Sequence, residues 1–512
     1  MEIKKMNYLT IKEIASQWNV GTTTVTRYCV EGRIPGAKKE DGKWKIPNNA
    51  QKPNTDRGIC QKYNFTFIDL FAGVGGFHQA MSAFGGECVF ASEIDANCQK
   101  TYKGQFGVEV HGDINLYYDK IPQFDVLCGG FPCQTFSKAG NQEGFENEEK
   151  GKLFFKIVDI LKLHPECKFI ILENVRNLAD DEKFWNVIQR ELKDLNFFIT
   201  QEPVIKSPDF FGIPQNRERV YILGIKKELR DQAKLTNGWI HLDDLKLDQY
   251  KRACVDGTAF EVLDKSYAKN ADYIISDEEA RIIDLWEEFK RDILPDKQIG
   301  TPIWLDYFGI GLDADQTESF YQSNGYYTQR VKAKKKDYND PEIRDLIDQD
   351  GYYMQETPKW KKGFIRRNRE FYISQKEKID AWYAKYKHLL TKKTYRKFEW
   401  NCGPKYKDFK TCILQFRQSG LRIKKADTFP SLVAIVNTPI IYDDVLGHYR
   451  RITVREAANL QSFRQDYKFV CEDSESYKQL GNSVNVRVIE LIAKQLFALG
   501  IEGWDKVQDV KE

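Results

Sequence analysis

The chain has 512 residues, 41% hydrophobic and 13% aromatic, too long for one core and too apolar to stay disordered, so two or three packed domains are expected. Its net charge is only +3, but residues 330–425 hold 27 Lys+Arg against 12 Asp+Glu, a local excess that points to a polyanion partner on an otherwise acidic chain. No apolar run reaches the ~18 residues of a membrane span and MEIKKMNYLT has no signal-peptide core, so a cytoplasmic protein is expected, with its eleven cysteines reduced and serving as core filling or chemistry.

Thr10 reads as the N-cap of a helix through about Trp18, with Ile11, Ile14, Ala15 and Trp18 on one face. Val20-Gly21 breaks it. A second helix through about Val30 follows, then a hairpin turning at Asp41-Gly42. Helix, turn, helix and hairpin resemble the winged helix-turn-helix of the MerR and excisionase type over residues 1–50. That resemblance implies a second helix in a DNA major groove, with Thr23, Thr24 and Arg27 as contacts. A protein-binding helical cap is the plain alternative. Residues 51–64, polar with Pro and Gly, read as a linker.

From Phe65 the pattern changes. FTFIDLF, CVFASEID, DVLCGGF and FIILENV are apolar runs separated by helical stretches, which predicts a mostly parallel α/β sheet. The rhythm stops near residue 226 and returns in VRVIELIAKQLFALG, an amphipathic helix. The expected spans are 65–226 for the first part of a catalytic domain, 227–465 for a second domain, and 466–505 for a segment that completes the first.

FIDLFAGVGGF is strand, glycine-rich turn and helix, and such a turn lets a ligand approach backbone at the carboxyl end of a strand. It lacks both GxGxxG spacing and the Lys-Ser/Thr of a phosphate loop, which disfavours a nucleoside triphosphate. Glu93 ends the next strand, where a carboxylate can accept from ribose hydroxyls. Asp113, in HGDI, suits an adenine amine. These features describe an adenosine-containing cofactor without a phosphate cradle, and S-adenosylmethionine fits that description.

In GGFPCQTFS, Cys133 is held between Pro132 and Gln134, just after a glycine pair. Nine blocks in order resemble the DNA (cytosine-5)-methyltransferase family of prokaryotes and phages: DLFAGVGGF, SEID, GDI, GGFPCQTFS, KLFF, ENV, QNRER, RRITVREAANLQSF and QLGNSV. They cover most of residues 65–225 and 430–500. The resemblance implies a Rossmann-like methyltransferase fold with a smaller, irregular target-recognition domain, and S-adenosylmethionine as cofactor. It implies that Cys133 adds to cytosine C6, that Glu173 of ENV binds and protonates N3, and that Arg219 of QNRER holds O2, with Arg217 supporting the Cys133 loop. It implies cofactor contacts from Phe71, Ala72, Gly73, Gly75, Gly76, Glu93, Ile94, Asp113, Ile114, Pro132, Leu153, Asn482 and Ser483.

Duplex DNA is the implied partner, with the target base flipped out of the stack. Gln134 and Ser137 beside the nucleophile, and Arg417, Arg422, Lys424 and Lys425 in FRQSGLRIKK, are the expected DNA contacts. No metal is expected, one copy suffices per modified strand, and a cognate restriction endonuclease would act separately. The family's Thr-Leu pair appears as Ser431-Leu432, and Val454 and Ala457-Ala458 stand where proline and cysteine are frequent. Two other readings compete: a tRNA cytosine methyltransferase of the same fold, and a catalytically idle DNA-binding regulator. The first is disfavoured by the large recognition segment and helix-turn-helix, the second by intact Cys133, Glu173 and Arg219.

Overall fold

The computed structural model describes residues 8–18, 22, 25–26, 29, 34, 37–40, 43–48, 50, 65–132, 152–229, 235, 238–264, 271–294, 301–334, 337–403, 406–433 and 438–501. Near the N-terminus, β1 (Tyr8–Leu9), β2 (Lys38–Glu40) and β3 (Lys43–Pro47) pair antiparallel in the order β1-β3-β2. The helix Ile11–Trp18 starts where expected: Thr10 N donates to Glu13 Oε2 at 2.7 Å and Glu13 N returns to Thr10 Oγ1 at 3.4 Å, a reciprocal cap. Ile14, Ala15 and Trp18 are buried with Val25, Cys29, Ile34 and Ile46 in one small core. Thr23, Thr24, Arg27 and the 51–64 linker lie outside the described residues.

The largest sheet of the described residues is built from β4 (Phe65–Leu70), β5 (Gly86–Ser92), β6 (Val110–His111), β7 (Val126–Gly129), β8 (Phe169–Val175), β9 (Phe197–Ile199), β10 (Val204–Lys206) and β12 (Arg219–Lys226); β11 (Gln215–Asn216) pairs instead with Phe429–Pro430. Its order is β10-β12-β8-β7-β4-β5-β6, with β9 also on β12. The pairs of β4 with β5 and β7, of β5 with β6 and of β7 with β8 are parallel, while β12 runs antiparallel to β8, β9 and β10. The chain passes from β4 outward through β5 and β6, then returns to the other side of β4 as β7. That reversal opens a crevice at the carboxyl ends of β4 and β7, where open α/β sheets bind ligands. FIILENV is buried at all but its last residue, the pattern of a strand covered on both faces.

The helix Val486–Gly500 completes this sheet from the far end of the sequence. Phe497 meets Phe65 and Phe169 edge-on at 5.5 and 4.9 Å between ring centroids. Gly500 lies so close to Phe169 that an added Cβ would come within 2.7 Å of its ring.

Residues 1–267, 427–436 and 453–512 form one compact unit, and 268–426 with 437–452 form another. The expected boundaries at 227 and 465 thus move. Residues 240–262 stay with the first unit because Ile240 N donates to Ile199 O at 2.9 Å, Gln495 Nε2 to Tyr250 Oη at 2.7 Å and Asn459 Nδ2 to Val262 O at 2.9 Å.

The second unit is more regular than its sequence suggests. A six-stranded mixed sheet runs in the order Ile303–Trp304, Lys397–Asn401, Gly420–Lys424, Ile413–Arg417, Ile440–Asp443 and His448–Arg451. Its core is aromatic: Trp286, on the helix Asp277–Asp292, stacks on Phe398 at 4.9 Å and meets Trp382 at 5.3 Å. Arg450 and Asp443 pair at 2.7 Å with side chains only 1% and 4% exposed.

Candidate active site

The loop after β4 is shaped by backbone that few side chains tolerate. Phe71, Gly73 and Gly75 have φ of 55°, 53° and 77°. An added Cβ on Gly75 would strike the Phe106 ring, and one on Gly76 would come within 2.6 Å of Val484 Cγ2. A Cβ on Gly73 would instead meet nothing within 4 Å, so the loop offers open space there. Glu93 fastens this loop: its Oε2 accepts from Gly73 N at 2.8 Å and its Oε1 from Asp95 N at 2.9 Å. Each oxygen keeps lone-pair capacity for a hydroxyl donor. Ile94 beside it is 75% exposed, an apolar surface at the mouth of the crevice.

Beneath the loop lies a polar cluster that the sequence pattern alone does not reveal. Tyr102 Oη donates to Asp69 Oδ2 at 3.3 Å and lies 2.8 Å from His78 Nδ1. Burial pushes the Asp69 carboxyl well up and the His78 imidazole down to about 3, so both favour their neutral forms. The signal was present: Asp69 is the one charged residue inside the apolar run FIDLF.

Glu173 and Arg219 meet through sheet register. Arg219 stands opposite Val175 and Tyr221 opposite Glu173, so Arg219 and Glu173 are diagonal neighbours on one face. Arg219 Nε lies 2.9 Å from Glu173 Oε1. Glu173 is 8% exposed, and burial raises its pKa above the usual carboxylate value, with the Arg219 and Arg217 guanidinium groups opposing that rise. A Cβ on Gly130 would sit 3.6 Å from Glu173 Oε2, so the backbone leading to Cys133 passes beside the acid. Asn174 Nδ2 donates to Phe131 O at 3.0 Å and fixes that approach, a positioning role not foreseen from the sequence.

Arg217 is a clamp and touches neither Glu173 nor open space. Its Nη1 donates to Leu432 O at 2.7 Å and Ser431 Oγ at 3.2 Å, and its Nη2 to Gly481 O at 2.9 Å and Ser483 O at 2.8 Å. Burial pushes its pKa down to about 9, still charged at neutral pH. It joins QNRER to the Ser431-Leu432 and GNSV segments, with the Ser431 hydroxyl accepting one of its bonds.

Of the other expected cofactor residues, Ala72, Gly75 and Gly76 are buried in the loop, and Phe71 and Leu153 are half-buried against the sheet core. Asp113 is exposed, with Oδ1 accepting from Asn115 N at 3.0 Å. Ile114 is a core residue, 2% exposed. Pro132 and Asn482 are exposed, and Ser483 is buried, its Oγ donating to Val484 O at 3.1 Å. Cys133, Gln134 and Ser137 lie outside the described residues. In the second unit, Arg422 is held on Glu399 by two 2.8 Å bonds, Arg417 lies 4.0 Å from the same carboxylate, Lys424 is half-buried and Lys425 exposed.

The sequence profile of the C-5 cytosine-specific DNA methylases matches residues 65–296 and 307–498. Type II methyltransferase M.BanI of Aneurinibacillus aneurinilyticus is 31% identical over 458 residues, covering 84% of this chain and 95% of that protein. M.AluI of Cellulosimicrobium cellulans is 29% identical over 496 residues, covering 84% and 91%. M.HpaII of Haemophilus parainfluenzae is 46% identical over a shorter stretch of 185 residues, covering 34% of this chain and 49% of that protein.

Proposed function

The chain belongs to the C-5 cytosine-specific DNA methylase family, a DNA cytosine-5 methyltransferase, and from that premise we propose that it modifies a flipped-out cytosine in one short duplex sequence through a covalent bond from Cys133 to C6. The observation that carries this reading is the Glu173–Arg219 pair at 2.9 Å, buried at the carboxyl edge of the sheet and bordered by the backbone that leads to Cys133. Family members use S-adenosylmethionine, and the crevice suits it: the Glu93 carboxylate, the open side of Gly73 and the exposed Ile94 offer acceptors for a ribose and an apolar wall for a base. When bound, that cofactor supplies the methyl group.

The chain's own residues then divide the work. The Cys133 thiolate forms a bond to C6, and the displaced electron pair enriches C5. Glu173, whose burial favours the protonated form, donates a proton to N3 as negative charge develops on the ring. Arg219 holds Glu173 in place and presents its remaining N–H groups to O2. Arg217 keeps the strand carrying Arg219 attached to the GNSV turn. Loss of the C5 proton and elimination of the thiolate release the product.

The same reading covers the rest of the chain. The N-terminal hairpin sets Lys38 opposite Lys45, two exposed cations on one face of a kind suited to a polyanion. It would bind DNA separately and could repress the enzyme's own gene; equal promoter binding by a chain lacking residues 1–55 would refute that role. The enzyme acts as a monomer in the cytoplasm, with any partner endonuclease acting separately. Among the described residues no helix is long and apolar enough to cross a membrane.

The test is expression in methylation-free bacteria followed by bisulfite sequencing, beside Cys133→Ser. Protected cytosines in one sequence context, absent from the variant, are expected. A soluble, cofactor-binding protein that protects none would sink the reading, and tRNA would be the next substrate to try.

A further inference from the structure

Charge in the second unit is concentrated on one helix. Lys359–Ser374, KWKKGFIRRNREFYIS, carries six cations and one acid. Three lysines crowd its first turn with no acid among them, opposed to the negative charge that a helix N-terminus prefers. Partners cancel little of this. Lys362 pairs with Glu356 at 2.8 Å and Arg366 with Glu370 at 3.7 Å, but Lys361 Nζ donates to the neutral Gln329 Oε1 at 2.7 Å. Among the described residues, Lys359 and Arg367 have no carboxylate within the 4.0 Å of an ion pair. Arg369 is committed to the carbonyls of Phe308, Gly309, Leu312 and Asp313, which anchors the helix to its own unit.

Aromatic rings alternate with these cations. Trp360 is 60% exposed and meets Phe364 edge-on at 5.5 Å. Phe364 lies 6.1 Å from Trp304, which stacks on Tyr307 at 4.9 Å. Arg367 sits 6.0 Å from the Phe364 ring centre and Lys397 Nζ 4.3 Å from that of Trp304. An exposed indole amid unneutralised cations suits nucleic acid better than an apolar protein partner. In the Ile413–Arg417 and Gly420–Lys424 hairpin, where the sequence places DNA contacts, Arg422 is bonded to a Glu399 that is only 19% exposed and Arg417 lies 4.0 Å from it, whereas Arg366 and Glu370 are 57% and 63% exposed and their contact is worth little against a phosphate.

We propose that the helix Lys359–Ser374 is a docking surface for the phosphate backbone of duplex DNA, with Lys359 and Arg366, seven residues apart on one face, toward phosphates and Trp360 against the sugar edge. This rests on the DNA-methylation reading and locates where the second unit grips its substrate. The rings fix the register of the cations along the backbone, and the cations set the strength of the contact.

The test measures binding of a methylatable duplex by fluorescence anisotropy across a salt series, for the full chain and for Lys359→Ala, Arg366→Ala, the double variant and Trp360→Ala. Each removed phosphate contact is expected to flatten the slope of log affinity against log salt by about 0.9, and the double variant to lose about tenfold in affinity. Lys359→Arg should retain the wild-type slope, and thermal unfolding confirms that each variant is folded. Unchanged affinity and slope in the double variant would overturn the proposal, as would an effect confined to a tRNA probe. Bisulfite protection by the wild-type enzyme separates the two levels: protection with unaltered double-variant binding fails this surface alone, while no protection fails the methylation reading.

Discussion

Each unit buries a carboxylate against an arginine, and the two pairs are built to opposite ends. Asp443 accepts from Arg450 Nε at 2.7 Å and from the backbone of Val445 and Leu446 at 3.0 and 3.1 Å. Those donors hold its carboxyl below the usual range despite burial. Glu173 has one guanidinium contact at 2.9 Å and no comparable backbone donors among the described residues, and burial raises it instead. A saturated carboxylate is locked as an anion and braces a hairpin. An under-saturated one stays ready to exchange a proton, at the edge of a sheet where a base can reach it. On the proposed mechanism, the number of donors around the acid, more than burial itself, separates a brace from a proton donor.

Glu173→Gln breaks this comparison most severely. The isosteric amide should leave the fold intact and cost about 10²–10⁴-fold in methyl-transfer rate, since it can neither give nor take the N3 proton. Labelled-methyl incorporation into duplex DNA measures it, and near-wild-type turnover would mean that Glu173 is a brace like Asp443. Arg450→Met is the converse. It strands Asp443 in the core and should destabilise the second unit by about 3–5 kcal/mol in urea unfolding. A loss below about 1 kcal/mol would place that pair among ordinary surface ion pairs.

The pH dependence of stability sharpens the contrast through its sign. Between the ordinary glutamate pKa of 4.5 and the raised value of Glu173, the folded chain holds a proton that the unfolded chain has lost, so stability falls as pH rises through that window. Asp443 acts oppositely: its contribution is complete above the ordinary aspartate pKa of 3.8 and is lost as pH falls through the lowered value. Denaturant unfolding across pH should therefore show Glu173→Gln removing a loss on the alkaline side of 4.5, and Asp443→Asn removing one on the acid side of 3.8, each at most about 1.4 kcal/mol per pH unit. Identical profiles for the two variants would erase the distinction.

Legibility in the sequence follows the same divide. The positions of Glu173, Arg219 and the glycine loop were legible because each is tied to an apolar strand: Glu173 is fifth of seven residues in β8, Arg219 opens β12, and the loop follows β4 directly. Arg217 was visible as a residue but not as a clamp, because its acceptors at Leu432, Gly481 and Ser483 lie more than 200 positions away. Asn174 was hidden in the same way: its amide serves Phe131, 43 residues upstream. The second unit looked irregular because its sheet strands are two to five residues long and one central pairing, Lys397–Asn401 with Gly420–Lys424, is parallel, so neither alternation nor hairpin spacing announces it.

The smallest expected effect tests how far charge on that sheet is already spent. Glu399 stands beside Arg422 in register and takes two bonds from it at 2.8 Å, with side chains 19% and 30% exposed. Glu399→Gln removes the anion and keeps the shape. Stability should fall by no more than about 1 kcal/mol, because a partly solvated pair returns much of its Coulomb energy to water. If the hairpin gripped DNA, releasing Arg422 and Arg417 from their shared carboxylate would strengthen binding and steepen its salt dependence by up to about two phosphate contacts. If the helix Lys359–Ser374 takes the backbone instead, the shift should stay within about twofold and the slope should hold, because the freed arginines then gain only the long-range field of one lost charge.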